Sequence, residues 1–376
     1  MQSAHRDDFF QTTTSLEESH RRAEKSGNKN GNPIKLPGKL LAIASDPFKN
    51  DSVFVAESSG VLRAVALEGN TQTGEITATY RGPTAPLTSL CFSADGMTVF
   101  AGCWDKNIWS WDVKTHKPGR KYVGHTDFVK TVFCPWVADC NLLISGGADA
   151  EVIVWDVING TRLHVLKEHS RGVQDLAMDP VVAEDNSSIV IFSAGSDRKI
   201  LHFRIPLNVG NLSVSEPILE HETSVYRLFF DEDGDLWTAS ADKTAKCLTR
   251  ESGWKSEISL EHPDFVRDVV VHEAGGWVIT ACRDEEVRIW NRATGKLHHT
   301  YSGHFEEVTG LLLFGSKVVS VSIDGTIRQW SLHPEDLRRA KLEASGTALQ
   351  NEETPPQQGL LTEEEERELD ELLNEN

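Results

Sequence analysis

The 376-residue chain lacks the surplus of positive charge needed to wrap nucleic acid or lie on an anionic membrane: 57 Asp and Glu oppose 38 Lys and Arg, a formal charge of −19. Both surfaces are recognised by clustered Lys and Arg, so direct nucleic-acid contact is argued against. No run approaches the roughly 20 apolar residues of a membrane span, and the N-terminal MQSAHRDDFFQTTTS has no apolar centre of a secretory leader. No membrane insertion and a cytoplasmic or nuclear location are therefore expected. The six cysteines (Cys91, Cys103, Cys134, Cys140, Cys247, Cys282) form no CxxC pairs and no dense framework, so buried reduced thiols are expected. The sequons at Asn186 and Asn211 are expected to go unused, because glycosylation needs a secretory route. No Gly-rich phosphate loop precedes a helix; Gly146-Gly147 and Gly275-Gly276 suit strand ends and turns. His298 and His299 are neighbours on a predicted strand and face opposite sides of it, so no metal and no cofactor are expected.

What the chain does have is a repeat. An acidic residue opens a tight turn ahead of a strand that usually ends in Trp at Asp105, Asp149, Asp197, Asp242, Asp284 and Asp324, with steps of 40 to 48 residues. That period is the signature of a β-propeller, in which each unit of short strands forms one blade. Residues 32–333 are expected to be the propeller, flanked by a flexible N-terminal segment 1–31 and an acidic, partly helical tail 334–376. Within 1–31, Ser15 to Lys25 can form one short helix, and Lys25 to Asn32 has the composition of a linker.

The third unit, KYVGHTDFVKTVF followed by NLLISGGADAEVIVWDV, opens with Gly124-His125 and closes with Trp155-Asp156. It resembles the WD-repeat family. The resemblance implies an all-β, seven-bladed propeller in which a His, a Ser or Thr, the turn Asp and the strand-end Trp form a buried hydrogen-bonded tetrad. Three units keep all four types: His125, Ser145, Asp149 and Trp155; His262, Thr280, Asp284 and Trp290; His304, Ser320, Asp324 and Trp330. Two others, His169, Ser193, Asp197 and His221, Thr238, Asp242, have Phe203 and Leu248 at the Trp position. A sixth retains only Asp105 and Trp111, with Ala101 at the hydroxyl position. The first is degenerate, with strands at Leu40 to Ser45, Ser52 to Ala56 and Val61 to Leu67, Val55 at the hydroxyl position and Ser59-Gly60 at the turn. The last unit supplies only three strands, so Ile34 to Leu36 is expected to pair with it, Pro33 and Pro37 being tolerable on an outer strand.

Five sets of His, hydroxyl and carboxylate invite a hydrolase reading. A catalytic triad occurs once at a converging site, whereas these recur at one position per repeat, so they are read as architecture and no catalytic residue is assigned. The same resemblance places the residues before the turn Asp and after the Gly-His on one face around a central channel. Trp104, Phe128, Arg171, Tyr226, Phe265, Arg267, Arg283 and Phe305 are the candidate partner-binding residues there, since aromatic and Arg side chains anchor interfaces. Arginines on an acidic chain suit a partner bearing carboxylates or phosphates.

Residues 335–376 hold 13 Asp and Glu against 4 Lys and Arg, about half of the net charge. Thr362 followed by Glu363 to Glu366 is a good helix start, and Leu361, Leu369, Leu372 and Leu373 supply a narrow apolar stripe. The expected function is a non-enzymatic scaffold or adaptor: a monomeric propeller binding other proteins within a hetero-complex. Alternatives are a non-catalytic subunit of an RNA- or DNA-modifying enzyme, or a ubiquitin-ligase substrate receptor. The receptor reading is weakened because Trp111-Asp112-Val113-Lys114 and Trp155-Asp156-Val157-Ile158 lack the Arg that adaptor-docking members commonly carry two residues after the Trp-Asp.

Overall fold

A computed structural model describes residues 13–67, 74–135, 141–181, 188–207 and 212–344. It forms seven four-stranded antiparallel sheets. Numbered along the chain, blades 1 to 6 span 40–80, 87–123, 129–166, 173–214, 225–261 and 266–302. Blade 7 takes three strands from 308–331 and its fourth from Ile34–Lys35. Each innermost strand packs against those of both neighbouring blades, and blade 7 meets blade 1, so the ring is closed.

Burial follows from this arrangement. Middle strands are covered on both faces by adjacent blades, so they are buried throughout, as in Leu236–Ser240, and read as apolar runs rather than alternations. Outer strands are partly wet, as in Arg162–Leu166. The apolar clusters lie between blades: Phe54, Leu62, Phe92 and Trp111 join blades 1 and 2, and Trp237, Leu260, Val269 and Trp290 join 5 and 6.

Closure takes the form anticipated for Ile34. Ile34 pairs with Ile327 and Lys35 with Thr326, and the Leu36 amide donates to the Gly325 carbonyl at 2.8 Å. Ile34 and Leu36 complete the apolar cluster between blades 7 and 1 with Val55, Val319 and Ile327.

The helix expected over Ser15 to Lys25 is present ahead of this strand, one to two residues longer at each end, and the stretch that reads as a linker, Lys25 to Asn32, is bonded to the ring. Thr13–Ser26 is a helix, α1, and Arg21 and Lys25, four residues apart on one face of it, bond the nearly buried Glu285 at 2.8 and 3.0 Å. Lys25 also reaches Glu286 at 2.7 Å, and Arg22 lies 3.8 Å from Glu306. The Asn28 and Asn30 side-chain amides then donate to the carbonyls of Gly303 and Ser302 at 2.7 and 2.9 Å. Buried Arg328 in turn donates to Asn28 Oδ1 at 2.8 Å and to the Asn30 carbonyl. Gly31 has φ 67°, and a Cβ there would meet the Trp330 ring at 2.9 Å. The polar Lys25–Asn32 stretch is ordered because its amides saturate carbonyls at the edge of blades 6 and 7, a pairing that composition does not reveal.

Beyond the ring, Pro334–Ala344 is a second helix, α2, with Glu335 and Asp336 in its first turn and Lys341 in its last, charges that suit its dipole. The segment around Leu361, Leu369, Leu372 and Leu373 lies outside the described residues, as do Cys140, Asn186 and Asn211.

If this closure holds the ring, deleting residues 1–38 lowers the melting temperature sharply. Ile34→Ala alone costs about 2–4 kcal/mol in urea unfolding. An unchanged melt of the deletion would rule out the latch.

Candidate functional site

The recurring Asp has one duty in all six blades that carry it. In each, a carboxylate oxygen accepts the amide two residues on, at 2.7 to 3.3 Å (Asn107, Glu151, Lys199, Thr244, Glu286, Thr326). This side-chain turn holds the intervening residue in the left-handed region: Lys106, Ala150, Arg198, Lys243 and Glu285 all have φ between 64° and 78°, as does Gly325. Only Gly is at ease there, so the carboxylate bond offsets backbone strain of about 1 kcal/mol or more. Blade 1 has no such Asp and uses Gly60, φ 78°. Its buried carboxylate is instead Glu57, bonded to Ser59 Oγ and Arg63 Nε at 2.8 and 2.5 Å.

A second duty is performed in four blades. His125 Nδ1 lies 3.0 Å from Asp149 and its Nε2 2.7 Å from Ser145 Oγ, which also accepts the Trp155 indole N–H at 2.9 Å. The His304, Ser320, Asp324 and Trp330 set repeats this at 2.8 to 2.9 Å. His169 and His221 bond Asp197 and Asp242 at 3.1 and 2.7 Å, and Ser193 and Thr238 at 2.7 Å. In these blades the same Asp also accepts the loop amide after the His: Thr126, Ser170, Glu222 and Phe305.

Blade 6 departs from the tetrad expected for it. His262 Nε2 bonds Thr280, which accepts from Trp290, but Nδ1 donates to the Leu260 carbonyl at 3.0 Å and not to Asp284. Asp284 is held instead by Arg288, at 3.0 and 2.5 Å to its two oxygens. The residue after His262 is Pro263, which has no amide to give, so the loop offers Asp284 nothing and the bidentate Arg takes it. Pro263 was the sequence signal. In blade 2 Asp105 accepts the Trp109 indole at 2.9 Å, while Trp111 donates to the Arg81 carbonyl.

These bonds fix the rim that carries the candidate partner residues. In every blade the residue before the turn donates its amide to the loop leading into the inner strand: Trp104 to Pro86, Ala148 to Phe128, Arg283 to Phe265, Ile323 to Glu307, each at 2.7 to 3.1 Å. The two sequence positions singled out are thus brought side by side. Trp104 and Phe128, 40% and 37% exposed, stack across blades 2 and 3 at 4.9 Å between centroids. Arg283 lies over Phe265 at 5.1 Å and Arg267 over Tyr226 at 4.3 Å. Arg267 is also paired with Glu307 at 2.7 Å, and Arg283 lies 3.9 Å from Asp264. Arg171 is exposed, and among the described residues its side chain makes no hydrogen bond or ion pair. Phe305 is half-buried beneath Lys35, 5.4 Å from its ring centroid, beside the Glu306 that Arg22 approaches.

Each inner strand also has a register shift at one place, around Leu41, Thr88, Lys130, Gln174, Tyr226, Arg267 and Thr309. Such a bulge re-aims a side chain, and all seven line a central cavity of about 680 Å³. Thr88 and Thr309 donate onward to the carbonyls of Val129 and Leu40 in the next blade, at 2.6 and 2.8 Å. One layer further in, Arg227 lies between the buried carboxylates of Asp175 and Asp268, at 3.6 and 2.9 Å. Among the described residues no group of three or more His, Cys, Asp or Glu could hold a metal, and no helix is long and apolar enough to cross a membrane.

A family model, WD domain, G-beta repeat, matches residues 74–112, 116–156, 254–291 and 295–331. The match falls on the outer strand of one blade plus three strands of the next, and on the units that keep a strand-end Trp. An uncharacterized WD repeat-containing protein of Schizosaccharomyces pombe is 36% identical over 97% of this chain and 98% of its own length. Nuclear distribution protein nudF of Aspergillus niger is 25% identical over 74% of the chain and 57% of its own length. Pre-mRNA-processing factor 19 of Bos taurus is 26% identical over 47% and 34%.

The polar sets make stability acid-sensitive in two windows. Burial pushes the His262 pKa down to about 4 from 6.5, and lowers those of His169 and His304. Burial pushes up the carboxyls of Asp149, Asp197 and Asp324, but bonds from His and backbone amides outweigh it and hold them below the usual 3.8. In every case the folded state binds fewer protons than the unfolded one. Through these groups stability is therefore complete above pH 6.5, falls as the pH drops towards 4 through the histidines, and falls further below 3.8 through the aspartates, while the carboxyls of Asp175 and Asp268, pushed up by burial, act in the opposite sense. The urea midpoint measured against pH should show both windows. A flat midpoint from pH 7 to 4 would contradict the neutral buried histidines.

Proposed function

The chain belongs to the WD-repeat family, and we propose that it works as a non-enzymatic scaffold, holding partner proteins on the rim that carries Trp104, Phe128, Tyr226, Phe265, Arg267 and Arg283. WD-repeat proteins are generally interaction scaffolds, and a propeller of this kind is typically non-catalytic. The observation that carries the reading is the Trp104–Phe128 pair. Two large aromatic rings stacked across a blade junction, each more than a third exposed, leave apolar area in water that a partner would cover. Beside them, Arg283 over Phe265 presents a half-exposed, pre-oriented guanidinium that loses little freedom on binding a carboxylate.

The buried hydroxyls support the non-enzymatic reading. Ser145, Ser193, Thr238, Thr280 and Ser320 have no exposed surface, and each accepts or gives its bond within the blade. A nucleophile must reach its substrate, and these side chains cannot.

The test is affinity purification of the full chain from its own cell extract, followed by mass spectrometry. Arg171, Arg267 and Arg283 changed together to Ala should lose the proteins that the wild type captures while the melting temperature is kept. Retained capture with an intact fold would remove this rim as the binding site.

A further inference from the structure

The seven bulge positions form a ring of side chains at the channel mouth that is cationic and holds no carboxylate: Leu41, Thr88, Lys130, Gln174, Tyr226, Arg267 and Thr309. Its two cations differ. Arg267 is neutralised by Glu307 at 2.7 Å and lies flat on Tyr226. Lys130 is half-buried, and among the described residues no carboxylate lies within ion-pair distance of it. Its contact is the Trp104 ring, with Nζ 5.9 Å from the centroid. The neighbouring hydroxyls of Thr88 and Thr309 are committed to backbone carbonyls. Arg227, one layer in, is matched by Asp175 and Asp268.

We propose that Lys130 is a carboxylate seat: a Glu or Asp side chain of a partner protein enters the channel mouth and pairs with Lys130 Nζ. Arg267 and Tyr226 form the facing wall, and Trp104 with Phe128 covers the apolar stem. The proposal rests on the reading of the rim as a protein-binding surface. Burial, and then the charge of Arg267, push the Lys130 pKa below that of an ordinary lysine. A half-buried cation with only the carboxylate of nearby Asp127 acting on it is held at the expense of stability, and an incoming anion removes that expense. One unpaired ammonium beside an already neutralised guanidinium matches a monoanion. A carboxylate meets that requirement, whereas a dianionic phosphate would lack donors. The aromatic stack across blades 2 and 3 gives the side chain that bears the carboxylate an apolar surface to lie on.

The experiment is selection of a random displayed-peptide library on the purified full chain, on Lys130→Met, on Lys130→Arg and on the Arg171→Ala/Arg283→Ala double variant. Wild type should enrich peptides with Asp or Glu. A selected peptide should bind Lys130→Met roughly thirtyfold more weakly or worse, and Lys130→Arg within a few-fold of wild type. The melting temperature of Lys130→Met should equal or exceed that of wild type, which a merely structural lysine would not allow. Peptides that bind wild type and Lys130→Met equally would overturn the seat and leave the rim reading standing. Failure of every peptide on every variant would overturn both. Displacement of the acidic peptide by inorganic phosphate at matching concentration would overturn the peptide carboxylate in favour of a free anion.

Discussion

The rim depends on one carboxylate in each of six blades accepting the amide two residues further on, with Gly60 making the turn in the seventh. The left-handed residue that follows each Asp is uncomfortable for any side chain other than Gly, and five of the six such residues are not Gly. The bond makes that turn the stable choice, and the turn sets where the third strand begins and where the preceding residue points. Bonding to His is a further use of the same atoms. It adds the loop before the inner strand to the turn between the second and third strands, so that two segments some twenty residues apart are welded at one edge of the blade. Where Pro263 removes the loop amide, the weld fails but the turn survives, because Arg288 satisfies the carboxylate from within the blade.

Ring closure transmits this local order around the molecule. A propeller with only three strands in one blade would expose a sheet edge and an apolar junction. Ile34 and Lys35 supply the missing strand, and the segment before them extends the closure outward through Asn28, Asn30 and α1. Glu285 shows the dependence most plainly. It occupies the strained turn position of blade 6, is nearly buried, and bonds Arg21 and Lys25 from α1. Without that helix a buried anion would lose two charge-assisted partners.

The channel mouth follows a different rule. At each bulge one side chain is turned towards the axis, so seven positions that contribute little to packing are gathered at one place. Blade geometry is indifferent to what stands there, and the residues are correspondingly varied: two hydroxyls fastened to the next blade, an amide, an aliphatic chain, an aromatic ring and two cations. That is where a repeat fold has freedom to specialise. Lys130 and Trp104, adjacent in space and 26 positions apart in the chain, come together because one is re-aimed by the bulge of blade 3 and the other stands before the turn of blade 2.

The sequence by itself determined the blade count, the strands and the latch, because each is written in local chemistry: a turn carboxylate at a regular period, apolar runs where both faces of a strand are covered, and a spare strand between two prolines. It also set the repeated His, hydroxyl and Asp at one position per unit, the position where the blades bury them. Only the tertiary structure decided which carboxylate bonds which base. Asp284 and Asp324 are each followed four residues later by Arg, yet Arg288 grips its own Asp while Arg328 is drawn away by Asn28 and Asn30. The competing partners there lie about 300 residues apart in the chain and meet only when the ring closes. For the same reason the sequence shows a helix over Ser15 to Lys25 but not where it docks, and Tyr226 and Arg267 beside the channel but not Lys130: each arrangement joins side chains from different blades, and no local pattern encodes it.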